Sequence, residues 1–409
     1  MFRRIAIFVV AVISVVSATA QNDSILVFGR DTVAYRYTPI SQNNPSKREN
    51  KFLNYIAEST IDRSHEKRVD LSFMPGLYYS QSTSFGLAFM ASGLYRLDKG
   101  DRAIPPSHFN LSASASIIGY YRVAVEGRNI FKGDKQRIVY NLAFASQPTN
   151  FWGVGYASAM NNEALYYLAS RCVVDGRFLQ RVAKGLYLGV GADYSYHFGK
   201  TGGKRYASEE ALLERLNGEH LSYNATGVSL FVEYDSRNSA TSPQQGVYVA
   251  LQAKVRPKGM NNIGKSLWSG RLTANYYQSL WRGAVLAFDL RGEVNSEGTP
   301  WVYNATLGGI TAMRGYYAGR FNDLCAVTLQ AELRQKIYKQ LGATAWGGAG
   351  NVFHNFATFD FAQTLPTYGV GLRYEIKRNL NFRFDYGFGG RDGRGKLIHG
   401  AIFSLSEAF

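Results

Sequence analysis

Three kinds of residue in this 409-residue chain could do chemistry: six histidines, a scatter of acids, and one arginine set among glycines. Nucleophilic catalysis needs a nucleophile, a base and an orienting group in mutual reach. His65, His108, His197, His220, His354 and His399 fall in no motif that assembles such a set. No Gly-x-Ser-x-Gly elbow occurs, and no spacing of His, Cys, Asp or Glu suits a metal ion. The chain therefore reads as a non-enzyme, with no catalytic residue, metal or cofactor. What remains is electrostatic recognition, centred on Leu307–Tyr317, LGGITAMRGYY. Here Arg314 is flanked by Gly308, Gly309 and Gly315, followed by Tyr316 and Tyr317. A guanidinium presents a rigid fork of donors that matches carboxylates, and glycine lets backbone approach closely. Long connections of this kind are usually functional.

The elements around this segment alternate with a period of two. From about Asp70 to Phe409, stretches of roughly ten residues alternate apolar and polar positions between turn residues, the signature of a membrane barrel. In Leu380–Gly389, Leu380, Phe382, Phe384, Tyr386 and Phe388 share one face. Asn381, Arg383, Asp385, Gly387 and Gly389 share the other. Strand geometry sends the first set to lipid and the second to a lumen. Tyr368–Ile376 repeats the theme, with Arg373 and Glu375 inward, and Ala326–Tyr338 places Thr328, Gln330, Glu332, Arg334 and Lys336 inward. A soluble sandwich also alternates, but its polar face is the outside and its strands are shorter. The pattern predicts an all-β, transmembrane antiparallel barrel of about 16 strands, with Leu307–Tyr317 in the sixth surface loop. Strands are expected near 135–146, 164–174 and 399–409, among others. Even-to-odd links such as 282–284, 339–342 and 377–379 should be short turns. Odd-to-even links such as 147–163, 198–223, 295–323 and 352–367 should be longer and external. One external link, SEEALLERLNG, carries a helix signature: Ser208 as cap, Glu209 and Glu210 in the first turn, Gly218 beyond the end.

Composition agrees with a barrel. Tyr 28, Phe 25 and Gly 42 are high and Pro is low at 10, as an aromatic-girdled barrel requires. Cys172 and Cys325 lie far apart on predicted strands, which excludes a disulfide scaffold. Residues 1–20 read as a signal peptide: Arg3 and Arg4, an apolar run Ile5–Val16, then Ala18-Thr19-Ala20. The mature chain should begin at Gln21, with a short basic periplasmic segment over 21–69 and the barrel over 70–409. Within the first of these, KFLNYIAESTI (51–61) has the pattern of an amphipathic turn or two. The formal charge is +16. With an export signal, anionic lipid head groups or a solvated lumen explain that bias better than nucleic acid does.

Six pieces in order carry a resemblance. They are YDSRNSATSPQQGVYV (234–249), LGGITAMRGYY (307–317), AELRQKI (331–337), WGGAGNV (346–352), GVGLRYE (369–375) and LNFRFDYGFG (380–389). Together they resemble the BamA/TamA superfamily of outer-membrane barrels, the bacterial surface-antigen family, over roughly 70–409. The terminal AIFSLSEAF, with Phe403, Leu405 and Phe409 on one face, is similar to the C-terminal targeting signal of such barrels. It departs from the pattern at Glu407, where an aromatic or apolar residue is usual.

The resemblance implies a sixth loop folded into the lumen, latched by Arg314 with Gly308, Gly309, Gly315 and Tyr316. A guanidinium inside a barrel must be paired and hydrogen-bonded. Glu332, Glu375, Asp385 and Asp289 are the inward carboxylates by parity. The acid usual for the family on the thirteenth strand is replaced here by Gly348. The pairing is then either transferred, with Asp385 the best candidate, or weakened. The 21–69 segment is too short for a periplasmic POTRA domain, so the resemblance is to a barrel-only member. It implies a Gram-negative outer-membrane location, among lipids including lipopolysaccharide. It also implies a role in inserting, assembling or translocating proteins, through a weak seam between first and last strands. Partners would be periplasmic or surface accessory proteins and unfolded barrel clients. The competing reading is a passive pore whose basic lumen is constricted by the loop.

Overall fold

The computed structural model describes residues 66–98, 104–239, 242–338, 340–377, 380–405 and 407–409, with Ser64 and the short pairings at 24–25 and 36–37. The signal peptide expected over 1–20 and the amphipathic turns expected in 51–61 lie outside the described residues, as does nearly all of 21–69.

Sixteen strands follow one another: β1 Asp70–Ser80, β2 Ser84–Tyr95, β3 Ser107–Ser116, β4 Tyr121–Ile130, β5 Gln136–Phe151, β6 Leu165–Ala183, β7 Leu186–Lys200 and β8 Ser222–Asp235, then β9 Gly246–Arg256, β10 Leu267–Ser279, β11 Ala284–Asn295, β12 Cys325–Tyr338, β13 Leu341–Phe353, β14 Leu365–Lys377, β15 Leu380–Arg391 and β16 Leu397–Leu405. Each pairs antiparallel with its sequence neighbours, and β16 returns to β1, so the sheet closes into a barrel. Closure is what allows a sheet to span a bilayer, because it removes the unpaired edges.

The period-two pattern sets the two faces. On β8, Val228, Leu230, Val232 and Tyr234 are exposed on the outer wall, whereas Ser229, Phe231 and Glu233 are buried. On β15, Phe384 is exposed, while Arg383 and Asp385 are buried. Apolar side chains thus face lipid and charged ones face inward, the inverse of a soluble protein.

Two strands run longer than the sequence pattern suggests. β5 continues through Pro148 to Phe151, and β6 continues through Asp175-Gly176 to Ala183. Pro148 and the Asp-Gly pair are ordinary turn signals. Here a continuous ladder from Gln136↔Gln180 to Phe151↔Leu165 overrides them, because a wet lumen accepts Asp175 and Arg177 without a turn. The last strand is shorter than the expected 399–409 and ends at Leu405. The even-to-odd link 236–245 between β8 and β9 is as long as the odd-to-even link 257–266, and the odd-to-even link 392–396 between β15 and β16 is short; otherwise the expected contrast of short and long links holds from β5 onward. It fails among the first strands, where β1 and β2 are joined by 81–83, β3 and β4 by 117–120, and β2 and β3 by the longer 96–106.

Two short helices sit in the long links. The first, α1, is Tyr156–Asn161, and the second, α2, is Glu209–Arg215. Ser208 caps α2 by accepting a hydrogen bond from the Ala211 amide. Leu212 and Leu216 bury its apolar face against Phe151 and Tyr167.

The facing assignment predicts an asymmetry on β9. Leu251→Arg puts a charge on the lipid wall near mid-strand and should cost about 2–4 kcal/mol. Gln252→Arg, facing the lumen one residue on, should be nearly neutral. Denaturant unfolding of the barrel folded into vesicles measures both, and equal costs would reverse the assignment.

Candidate functional site

The link between β11 and β12 is built around a narrow hairpin-like stem. Ala305 pairs with Asp323 and Thr306 with Asn322. The Leu307 amide donates to Phe321 O at 2.8 Å, and the Gly309 amide to Tyr316 O at 3.3 Å. The turn is tight enough that Gly308 takes φ +92° and Gly315 φ +106°, a region that favours glycine. Leu307, Met313, Tyr316 and Phe321 are buried with Val352 of β13, Leu365 of β14 and Ile398 of β16 in one apolar cluster. The segment is therefore packed onto the inner wall.

Arg314 lies at the centre of that packing, with no exposure. Its Nη1 donates to Asp385 Oδ2 at 2.8 Å. Its Nη2 stands 2.5 Å from Glu332 Oε2, an ion pair by distance whose angle falls outside hydrogen-bond geometry. The guanidinium carbon lies 3.7 Å from the centre of the Trp346 ring, within cation–π range. Thr367 Oγ1 donates to the Arg314 carbonyl at 2.8 Å. Gly387 leaves room for this approach: a Cβ there would come within 2.5 Å of Arg314 O and 2.8 Å of Gly315 N.

The two acids are shared with further arginines. Asp385 Oδ1 lies 2.6 Å from Arg373 Nη1, and Arg373 Nε lies 2.8 Å from Glu407 Oε2. Glu332 Oε1 accepts from Arg334 Nε at 2.7 Å, and Arg334 Nη2 donates to the Phe409 carbonyl at 2.7 Å. Arg383 donates to Ile310 O at 2.8 Å and to Ser404 Oγ at 3.0 Å. One buried charge network thus joins the loop, β12, β14, β15 and the residues after β16.

Of the residues singled out in the sequence, Arg314, Gly315, Asp385 and Glu332 meet at one point, and Tyr316 is beside it. Tyr316 Oη donates to Pro366 O at 2.7 Å and accepts from the Gly390 amide at 2.7 Å. Gly308 and Gly309 shape the stem. Glu375 is not a partner of Arg314. It pairs with Lys336 at 2.7 Å, half-exposed toward the short-turn end. Asp289 serves Arg291 and Gln330 instead. Gly348 sits on the inner face against Gln330 and supplies no charge. Phe409 does not share a lipid face with Phe403. Its carbonyl and ring approach Arg334, the ring centre at 5.2 Å, because the chain leaves the ladder after Leu405 and turns inward. Leu405 pairs with Phe382 in register. Trp346, Thr367 and Arg373 as contributors were missed. Parity could have found Trp346, which shares the inward face with Gly348 two residues away.

The barrel is closed at its weakest ladder. Among the described residues, β16 and β1 share one residue pair, Phe403↔Tyr79, whereas β15 and β16 share eight and β1 and β2 share eleven. Gln81 Nε2 also donates to His399 O at 3.0 Å across this seam. The loop lies directly beside it. Gly309, Gly315, Tyr316 and Ala318 line a small cleft with Ser80–Ser82 and Gly400–Ile402.

A model of the Omp85 superfamily domain matches residues 108–409. The chain belongs to the Omp85 superfamily. It is an outer-membrane β-barrel of the BamA/TamA type. Among solved structures, this Omp85 barrel is similar to BamA from Haemophilus ducreyi lacking POTRA domains 1-3, at 12% identity and TM-score 0.56, over 83% of this chain and 70% of that one. It is similar to CdiB from Escherichia coli at 10% identity and TM-score 0.55, over 88% and 70%. It is similar to CdiB from Acinetobacter baumannii at 12% identity and TM-score 0.53, over 83% and 60%. At these identities the likeness is one of fold. No curated protein matches the sequence.

Three substitutions separate the Omp85 network from its surroundings. Asp385→Asn leaves buried guanidinium groups short of charge, and breaking such pairs costs about 3–5 kcal/mol. Glu375→Gln removes an exposed pair worth about 0–1 kcal/mol. Hydrogen exchange over 307–317 should accelerate in the first variant and in Gly387→Val, and stay unchanged in Glu375→Gln.

Proposed function

We propose that this barrel inserts, assembles or translocates proteins at the outer membrane by opening between β1 and β16. The observation that carries the reading is the one-pair seam. Every other neighbouring pair in the barrel makes eight or more residue pairs. A backbone hydrogen bond contributes a net ~0.5–1.5 kcal/mol, so parting this seam costs far less than parting any other ladder. The strands it frees present unpaired amides and carbonyls, which in lipid must find partners. An incoming β-strand supplies them by augmentation. The loop held by Arg314 packs against both sides of the seam from within and keeps its geometry fixed while the edges part. In this reading the barrel over 70–409 is the working part, following a periplasmic segment over 21–69. Unfolded barrel proteins are the clients, accessory proteins deliver them, and outer-membrane lipids including lipopolysaccharide surround the site.

A second reading, a loop-constricted pore, is favoured by one observation. The wall of β3–β6 away from the loop borders a cavity of about 250 Å³, lined by His108, Asn110, Glu126, Arg128, Asp175 and Arg177 among others.

A cross-link at the seam distinguishes the two. Opposed residues in an antiparallel ladder have Cα atoms ~4.5–5.5 Å apart, within disulfide range. Tyr79→Cys with Phe403→Cys should therefore oxidise across the seam. In vesicles supplied with urea-unfolded outer-membrane barrels, the oxidised protein should fold clients no faster than empty vesicles, and reductant should restore the rate. Equal rates with the seam locked and unlocked would overturn the insertion reading. A steady bilayer current unaffected by the disulfide but raised by Arg314→Ala would favour the pore.

A further inference from the structure

The link between β13 and β14 does not rise straight from the barrel rim. It folds back over the outer wall. On β13, Trp346, Gly350 and Val352 face the loop inside, so Asn351 and Phe353 point outward by parity. Lower on the same outward face, Leu341, Ala345 and Gly347 are exposed, yet Asn351 and Phe353 are buried. What covers them is the link itself. Asn351 Nδ2 donates to Asp360 O at 2.8 Å and to Thr364 Oγ1 at 3.1 Å. Phe353 packs with Leu324 and Cys325, and with Val294, Val327 and Phe359 around them. This apolar cluster lies on the outside of β11, β12 and β13.

The link is rigidly built and ends in exposed aromatics. Asn355 caps the turn Phe356–Thr358 through a capping box, and Asp360 caps the turn Phe361–Gln363. The rings form a chain: Phe353–Phe356 at 5.7 Å, Phe353–Phe359 at 5.1 Å and Phe359–Phe361 at 4.9 Å. Phe356 remains 75% exposed and Phe361 83%. An aqueous surface loop has no use for two capped turns that hold phenylalanines outward. A bilayer does, since aromatic side chains gather where the barrel wall meets the head groups.

The level of the patch identifies its occupant. Val327 pairs with Asn351 and Leu329 with Ala349, so the covered rows begin two residues, about 7 Å, above Leu329. Leu329 is 55% exposed on the lipid wall, and Tyr368 and Val370 of β14 are 50% and 61% exposed beside it. The aromatic link is continuous with that wall. We propose that residues 353–364 form a membrane anchor, with Phe356 and Phe361 seated in the acyl margin of the outer leaflet. Asn355, Asp360 and Gln363 then lie among the head groups. The anchor fixes the height of the β11–β14 wall in the bilayer, and it stands independently of what the seam does.

The test uses Phe361→Cys carrying an environment-sensitive fluorophore, in protein with Cys172→Ala, reconstituted into phosphatidylethanolamine–phosphatidylglycerol vesicles. The parent without the new cysteine measures labelling of buried Cys325. Phe356→Cys serves as a second site should the first variant fold poorly. Glu210→Cys, on the exposed first turn of α2, is the aqueous control. The label at Phe361 should emit to the blue of the control, resist iodide, and be quenched by lipids carrying a nitroxide near the glycerol end of the chain. Emission and iodide quenching equal to the control would overturn the proposal. A blue shift without quenching by nitroxide lipids would also overturn it, since the patch would then be covered by protein.

Discussion

Burying one guanidinium is the constraint on which much of this barrel depends. An arginine without solvent is tolerable only when carboxylates and hydrogen-bond acceptors surround it. Arg314 is met on four consecutive strands: the carboxylates of Glu332 on β12 and Asp385 on β15 and the Trp346 ring on β13 meet the guanidinium, and Thr367 on β14 donates to its backbone carbonyl. No single strand or hairpin could supply this set. The site exists only after β12 to β15 have paired in register, since a slip of one residue would turn each of these side chains to lipid. The loop therefore reports on the wall, and the wall is braced by the loop.

That bracing stands beside the place where the barrel is least closed. Elsewhere, ladders of eight or more pairs hold neighbouring strands. Between β16 and β1 one pair does so. Beyond its ladder to β15, β16 is held by contacts made inside the lumen. Arg383 bonds Ser404, Arg373 pairs with Glu407, and Arg334 takes the Phe409 carbonyl. The strand is thus tied down on one edge and at its tail while its other edge stays nearly free. A strand held in this way can part from β1 without leaving the barrel.

Much of the fold was legible because period-two alternation is a strong signal where one face meets lipid and the other meets water. It identified the closed barrel, the strand count and the inward acids from one rule. It failed where local turn chemistry competed with a long ladder. Pro148 and Asp175-Gly176 look like loop residues, and only their pairing partners show that they are not. The site was legible in part for a similar reason. Parity could nominate Glu332, Asp385, Glu375 and Asp289 equally, but height along the barrel decides among them. That height depends on shear and register, which a strand pattern does not contain. Glu375 faces inward, yet at the short-turn end it meets Lys336 rather than Arg314.

Two departures from the family pattern meet in the same network. Gly348 stands where the resemblance implies an acid on the thirteenth strand, and Glu407 stands where it implies an apolar residue. Had the tail continued along the outer wall, Glu407 would face lipid, where a carboxylate is destabilising. Instead the chain turns inward after β16, and Glu407 reaches Arg373 at 2.8 Å and Arg334 at 3.9 Å. Arg373 in turn shares Asp385 with Arg314. Three buried arginines, Arg314, Arg373 and Arg383, and the partly buried Arg334 thereby meet Glu332, Asp385 and Glu407. Without Glu407, Asp385 and Glu332 alone would have to balance all four. Gly348 puts no acid on β13, the tail carries one at Glu407, and Trp346 covers the face of Arg314 with a ring that needs no counter-charge. The loop and the last strand are consequently coupled by arginines: Arg373 bridges the carboxylate that holds the loop and the carboxylate that holds the tail, and Arg383 bonds Ile310 of the loop and Ser404 of β16.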